Sequence, residues 1–146
     1  MNWTLKEFNE LTIHELYAIL QLRAEVFVVE QNCVFQDIDN KDQKAYHLLG
    51  YADNKLAAYT RLLPAGFPYA EASIGRVVTA SFARNSGIGK KLMTESIDTL
   101  FRLYGRQPIR IGAQLYLKKF YETFGFQQTS EIYLEDGIEH IEMLLP

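Results

Sequence analysis

The chain has 146 residues, of which 48% are hydrophobic, with one cysteine and a net charge of -3. This length and apolar fraction suit a single domain spanning residues 1–146. The charge argues against nucleic-acid binding, and the lone cysteine excludes an internal disulfide and fits a reducing cytoplasm. We expect no membrane partner, because the chain has neither a long apolar run nor a signal-peptide pattern.

The N-terminal half is predicted to form a strand, a helix and a β-meander. Residues 3–8 form the first strand, and the capping box Thr12-Ile13-His14-Glu15 starts a helix. The apolar residues of this helix that we expect to face the core are Ile13, Leu16, Tyr17, Leu20 and Phe27. A polar loop at residues 32–44 precedes strands at residues 47–52 and 55–63, which a tight turn at Asp53-Asn54 joins.

A glycine-containing loop then connects a strand at residues 72–79 to a long helix. Apolar residues take helical spacing from Ile88 to Tyr104, so Gly87 and Gly89 lie where the helix begins. The first N–H groups of a helix have no partner within it and lie at the positive end of its dipole. Because the two glycines have no side chains, a phosphate can approach this backbone closely.

The last third repeats the strand–helix pattern. A strand at Ile109 is followed by a helix at Gln114, which Gly125 ends as a left-handed cap, and two strands complete the chain. A β-meander followed by strand–helix units indicates an α+β fold with a sheet that is partly antiparallel.

No metal site is expected. Gly89-Lys90-Lys91 lacks the hydroxyl with which a P-loop holds magnesium, and the loop lacks the third glycine of a dinucleotide fingerprint. Residues 37–42 superficially match a calcium loop, but Leu48 stands where its last glutamate is required and the glycine is also missing.

Two motifs carry a resemblance to a known family. The spacing Arg84-x-x-Gly87-x-Gly89 resembles the acetyl-coenzyme A loop of the GCN5-related N-acetyltransferase (GNAT) superfamily, and the run Phe120-Tyr121-Glu122-x-x-Gly125-Phe126 resembles a second segment of the same family. Residues 20–39, 74–77, 112–114 and 135–141 are similar to the ElaA group, so the resemblance covers nearly the whole chain. Asn85 stands where many members have glycine, which requires a backbone conformation that asparagine tolerates.

The resemblance implies a mixed central sheet with a splayed parallel strand pair and flanking helices. It also implies a cytoplasmic enzyme that transfers an acetyl group from acetyl-coenzyme A, its co-substrate, to a primary amine by direct attack on the thioester. Tyr121 is the implied general acid, and the N–H of Val78 is expected to polarise the thioester carbonyl. The implied cofactor-binding residues are Val77, Val78, Thr79, Arg84, Asn85, Ser86, Gly87, Ile88, Gly89, Gln114 and Tyr121.

The acceptor side is less defined. We expect the amine to approach over residues 27–39 and the loop at residues 64–68, with Phe27, Glu30, Phe35 and Arg76 as substrate-binding residues. Glu30 is the catalytic proton acceptor that we favour, while Glu71, His140 and a water chain stay open. Arg23 and Arg76 could orient a substrate carboxylate, and the default alternative for both is ion pairing, with Glu30 as the candidate partner.

Two other functions are weighed. One is an acyltransferase that uses longer chains, since acyl-homoserine lactone synthases share this fold and the Arg23-x-x-x-Phe27 spacing is similar to theirs. The other is a non-catalytic coenzyme A-binding module. The sequence leaves open whether the acceptor is a small-molecule or a peptide amine and whether the chain forms a homodimer.

Overall fold

The computed structural model describes residues 1–146, which form one eight-stranded sheet and three α-helices. The strands are β1 (Asn2–Glu7), β2 (Tyr46–Ala52), β3 (Lys55–Leu63), β4 (Ala72–Thr79), β5 (Ile109–Gln114), β6 (Gln127–Gln128), β7 (Tyr133–Glu135) and β8 (Ile138–Leu145). The helices are α1 (Ile13–Arg23), which continues as a π-helical segment (Ala24–Glu30), α2 (Ile88–Tyr104) and α3 (Lys118–Glu122). None of the helices combines the length and the apolar character needed to cross a bilayer.

The sheet has the order β1-β2-β3-β4-β5-β8-β6, with β7 paired to β8. Its one parallel pair, β4 and β5, is joined only through Ala72–Ile109 and Ser73–Arg110, and the two strands diverge beyond these residues. The expected α+β fold with a splayed parallel pair is confirmed.

A β-bulge accompanies this divergence. Gly75 pairs with Arg61 and Val78 with Tyr59, so Arg76 and Val77 both lie opposite the single residue Thr60. Arg76 takes the left-handed φ of +50° that the extra residue requires. Because a bulge bends and twists its strand, it turns the end of β4 away from β5.

The helices cover both faces of the sheet. Tyr59 packs in the apolar cluster that includes Ile19 of α1, whereas its neighbour Thr60 hydrogen-bonds Ser96 of α2 at 2.8 Å. Since successive strand residues point to opposite faces, α1 and α2 lie on opposite sides of the sheet. The largest apolar cluster lies on the α2 side and also includes Tyr121 of α3.

The capping box is confirmed, but the predicted buried face of α1 is wrong at two positions, while Leu16, Leu20 and Phe27 are half-buried. Thr12 and Glu15 exchange hydrogen bonds of 2.8 and 3.0 Å. Ile13 and Tyr17 are 79% and 73% exposed. The buried positions are instead Ile19, Leu22, Arg23 and, one turn on, Val26. Apolar residues occur all around this helix, and an arginine with buried carboxylate partners decides which side faces inward.

Turns at left-handed positions set the strand ends. Asp53 and Asn54 have φ values of +52° and +61°, which confirms the predicted tight turn. Asp136 and Gly137, at +52° and +79°, form a second two-residue turn that pairs β7 with β8. The segment after Gly125 therefore holds three strands rather than the predicted two.

Candidate active site

A cleft of about 690 Å³ opens where β4 and β5 diverge. Its walls come from the π-helical segment and the loop after it, β4, β5, α3 and the β7–β8 turn. The predicted site residues that line it are Phe27, Glu30, Phe35, Arg76, Val77, Val78, Thr79, Arg84, Gly89, Gln114 and Tyr121. The structure thus brings together residues that lie far apart in the sequence.

The remaining predicted residues, 85–88, form the turn between Arg84 and Gly89 rather than the cleft wall. Asn85 has a φ of +64°, in the left-handed region that asparagine tolerates, as its position required. Ile88 is buried in the core. Gly87, at a φ of +77°, is the N-cap of α2 and supplies no side chain to the first N–H groups of that helix. These groups are therefore available to an anion.

The register of β4 changes our expectation for the thioester contact. Ala80 N–H donates to the Ala57 carbonyl of β3 at 2.8 Å. Because N–H groups alternate between the two edges of a strand, that of Val78 also points to β3, where Val78 pairs with Tyr59. The N–H groups of Val77 and Thr79 are left on the edge that faces the gap. We therefore expect the N–H of Val77, rather than that of Val78, to donate to the thioester carbonyl.

Tyr121 places its hydroxyl on the cleft. The residue is 6% exposed, and its ring packs edge-on against Phe120 at 5.2 Å and Phe126 at 6.0 Å. No protein group hydrogen-bonds the hydroxyl. Burial, with a smaller contribution from nearby Tyr116, raises the pKa of Tyr121 above its ordinary value. The hydroxyl is thus protonated at neutral pH and available as a donor.

Two adjacent residues at the end of the π-helical segment bridge the arms of the gap. Glu30 forms an ion pair with Arg84, whose guanidinium also donates to the Thr79 carbonyl at 3.1 Å. Gln31 exchanges amide hydrogen bonds of 3.3 and 3.2 Å with Gln114 at the end of β5. The end of this helix therefore contacts both diverging strands, and sequence reasoning missed the part played by Gln31.

Arg76 pairs with aspartates rather than with Glu30. Its Nε donates to Asp37 at 2.8 Å and its Nη2 to Asp39 at 3.3 Å, and its guanidinium carbon lies 5.8 Å from the ring centre of Phe35. Arg23 contacts the other oxygen of Asp37 at 2.9 Å. Ion pairing of both arginines agrees with the sequence-based alternative, but their partners come from the loop at residues 32–44.

A buried charged network extends from these pairs beneath the acceptor wall. Asp42 accepts hydrogen bonds from Arg23 at 2.7 Å and from Arg61 at 3.0 Å. Arg61 also donates to the two carboxylate oxygens of Asp39 from its two terminal nitrogens. Burial alone would raise the pKa of Asp39, but Arg61 and Arg76 hold it at about 2. The sequence carries a signal for this network, because Arg61 lies within the apolar stretch of β3 and a buried arginine requires a buried acidic partner.

His47 completes the network as a neutral side chain. Its Nε2 donates to the Asp42 carbonyl at 2.9 Å, so its Nδ1, 2.6 Å from the Tyr59 hydroxyl, accepts. Burial lowers the pKa of His47. This network fixes the loop that carries Phe35 and Asp39 against the sheet.

Of the candidate proton acceptors, Glu71 does not line the cleft. It is held by Arg110 through contacts of 2.8 and 3.2 Å. Glu30 lies on the cleft wall in its ion pair with Arg84, and His140 lines the cleft from β8.

Known proteins are similar to this chain in both sequence and fold. A family model described as an acetyltransferase (GNAT) domain matches residues 10–145. Protein ElaA of Escherichia coli is 41% identical over 145 residues, which cover 98% of this chain and 95% of that protein. The crystal structure of E. coli ElaA matches with a TM-score of 0.92 at 39% identity, over 99% of both chains.

Two further solved structures are informative. An acyl-CoA N-acyltransferase from Pseudomonas aeruginosa has a TM-score of 0.94 and 42% identity over 100% of both chains. A GNAT family acetyltransferase from Elizabethkingia anophelis with acetyl-CoA bound shares the fold, with a TM-score of 0.65 and 19% identity over 99% of this chain and 97% of that one. With its glycine loop at a helix start, its splayed parallel strands and its similarity over nearly the full length to ElaA, the chain belongs to the GNAT superfamily of acyl-CoA-dependent acyltransferases, within the ElaA group.

Proposed function

We propose that this protein transfers the acetyl group of acetyl-coenzyme A to a primary amine. The observation that carries the proposal is one cleft with the uncapped start of α2 beside it, where Gly89 lines the wall, and with the hydroxyl of Tyr121 on the same wall. The acetyl-CoA bound to the E. anophelis protein, which shares the fold, supports the choice of donor.

The donor would bind along the open edge of β4. Its diphosphate would accept hydrogen bonds from the backbone of residues 84–89, where the dipole of α2 favours negative charge. Its pantetheine arm would run beside Val77 and Thr79, whose N–H groups face the gap. Gln114, on the opposite arm, would contact the same ligand from the end of β5.

The chemistry would then proceed by direct attack. The amine nitrogen bonds to the thioester carbon, and the carbonyl electron pair moves to the oxygen. The N–H of Val77 stabilises this oxyanion, a contribution of about 3 kcal/mol for one such donor. When the intermediate collapses, the carbon–sulfur bond breaks and Tyr121 donates its proton to the sulfur. The amine nitrogen loses one proton, which restores the Tyr121 hydroxyl, and the products are coenzyme A and an N-acetylated amine.

A short acyl group suits the narrow end of the gap. Ile74 and Ile111, each 2% exposed, contribute to the cleft wall just beyond the last paired residues of β4 and β5. A long acyl chain would have to displace these core residues, at a cost of about 25 cal/mol for each Å² of apolar surface exposed.

The acceptor would enter from the face covered by α1. Phe27 and Phe35 offer apolar surface there, and Glu30 and Arg76 offer charge that their present partners already balance. A primary amine with a modest hydrophobic body fits this lining, either as a small molecule or as a peptide.

The direct test is release of coenzyme A, followed with a thiol reagent, from acetyl-, butyryl- and octanoyl-coenzyme A against a panel of amines and peptides. Isothermal titration calorimetry with each donor is measured in parallel. We expect acetyl-coenzyme A to bind and to give the fastest turnover. Turnover that favours the octanoyl donor would replace acetyl transfer by long-chain transfer, and binding without turnover on any amine would indicate a coenzyme A-binding module.

A further inference from the structure

The ring of His140 is held in one orientation on the acceptor side of the cleft. The residue is 7% exposed and lies on β8 directly across from Gln114 of β5. Its Nδ1 lies 2.8 Å from the Ile138 carbonyl. Because a carbonyl oxygen only accepts, Nδ1 carries the proton and Nε2 keeps its lone pair.

Two side chains border the imidazole ring. Glu135 places Oε2 3.5 Å from Nε2, and the ring of Tyr133 stacks on the imidazole at a centroid distance of 5.9 Å. The Glu135 side chain is 59% exposed, and a carboxylate at this distance from a ring nitrogen can fix the orientation of the imidazole.

Guanidinium groups hold two of the other carboxylates that line the cleft. Arg84 pairs with Glu30, and Arg61 and Arg76 pair with Asp39. The thiol of Cys33 donates to the Asp136 carbonyl at 3.2 Å. Glu135 and Tyr133 contact the imidazole itself. The titratable and charged residues that line the same cleft are Glu30, Cys33, Asp39, Lys41, Arg76, Arg84, Tyr116, Tyr121, Glu135 and Asp136.

We propose that His140 is the catalytic base of this enzyme and that Glu135 is its positioning residue, an inference that rests on the proposed function. Nε2 takes one proton from the incoming ammonium group and so produces the neutral amine that attacks the thioester. After the attack, the amine nitrogen releases a second proton, and this proton replaces the one that Tyr121 gives to the sulfur. The imidazolium then returns its proton to water, so that one proton is released for each turnover.

The test compares wild type with His140→Gln, and His14→Gln serves as the matched control because His14 is exposed on α1. We expect His140→Gln to lower kcat by about 100-fold or more. It should abolish the acidic limb of the pH profile and leave the Kd for acetyl-coenzyme A unchanged, whereas His14→Gln should change none of these. Glu135→Gln should lower kcat, because the imidazole loses the side chain that orients it, and should leave the Kd for acetyl-coenzyme A unchanged, whereas Glu135→Asp should restore part of kcat.

Wild-type turnover and an intact acidic limb in His140→Gln would refute the role of His140. The proposed function would survive that result, since it depends only on acetyl transfer by the wild-type protein. Nitrogen NMR of wild type gives a second measurement that needs no variant, because the chain has only three histidines. We expect a neutral His140 protonated at Nδ1, and a proton on Nε2 of the neutral ring would overturn the assignment.

Discussion

Replacement of Tyr121 by phenylalanine isolates the contribution of one hydroxyl. The ring that packs against Phe120 and Phe126 is kept, and the hydroxyl has no hydrogen-bond partner in the protein to lose. We therefore expect the free energy of unfolding to change by less than about 0.5 kcal/mol, since no buried group is left unpaired.

The expected effect on catalysis is much larger. General acid catalysis contributes about 100-fold to 10,000-fold, which corresponds to about 3 to 5 kcal/mol of barrier. Tyr121→Phe should lower kcat by that factor and leave the Kd for acetyl-coenzyme A within about twofold of wild type. Because burial raises the pKa of Tyr121 above its ordinary value of 10, the wild-type enzyme should show no alkaline loss from this group below about pH 10.

The assay is release of coenzyme A with the best amine from the panel, measured from pH 6 to pH 10 beside thermal unfolding and calorimetric titration. Tyr17→Phe is the control, because Tyr17 is 73% exposed and lies on α1 outside the cleft. A Tyr121→Phe enzyme with wild-type kcat and wild-type stability would show that Tyr121 only packs in the core and that the thiolate leaves without an acid.

Three further changes test the cofactor loop and the charged network. Gly87→Val places its Cβ in open space, so its cost to folding is about 1–2 kcal/mol from the left-handed backbone, yet it should weaken acetyl-coenzyme A binding at least tenfold by calorimetry. Gly66→Val, at a similar φ of +91° and equally open, should bind normally, and equal losses in both variants would contradict the loop assignment. Asp42→Ala leaves two buried guanidinium groups short of a partner and should cost about 3–5 kcal/mol in chemical denaturation, compared with a negligible change for Asp98→Ala on the exposed face of α2. The folded pKa of Asp39 is about 2, below the ordinary 3.8, so its stabilisation should be complete above about pH 4 and fade as the pH falls towards 2. Asp39→Asn should flatten that part of the stability profile, and an unchanged slope would show that Asp39 is not the group that titrates.

Much of the fold could be predicted because its signals are local. The capping box at Thr12, the two-residue turn at Asp53-Asn54 and the left-handed Asn85 each depend on a few neighbouring residues and on backbone sterics. The strand–loop–helix order around Gly87 likewise follows from short-range periodicity, whereas the splayed parallel pair was implied by the resemblance of two short motifs to the family. The bounds of β3 and β4 agree with those predicted.

The arrangement within the cleft depends on tertiary structure instead. The inward face of α1 is chosen by Arg23, whose partners Asp37 and Asp42 lie 14 and 19 residues away in the chain. The N–H of Val77, rather than that of Val78, faces the gap because the bulge changes which backbone groups of β4 face β3. His140 reaches the cleft because the pairing of β8 with β5 sets it across from Gln114. The sequence by itself determined the elements and the glycine loop, through local sterics and periodicity. Strand register and buried charge pairing decided which side chains meet in the site, because both depend on contacts between residues distant in the chain.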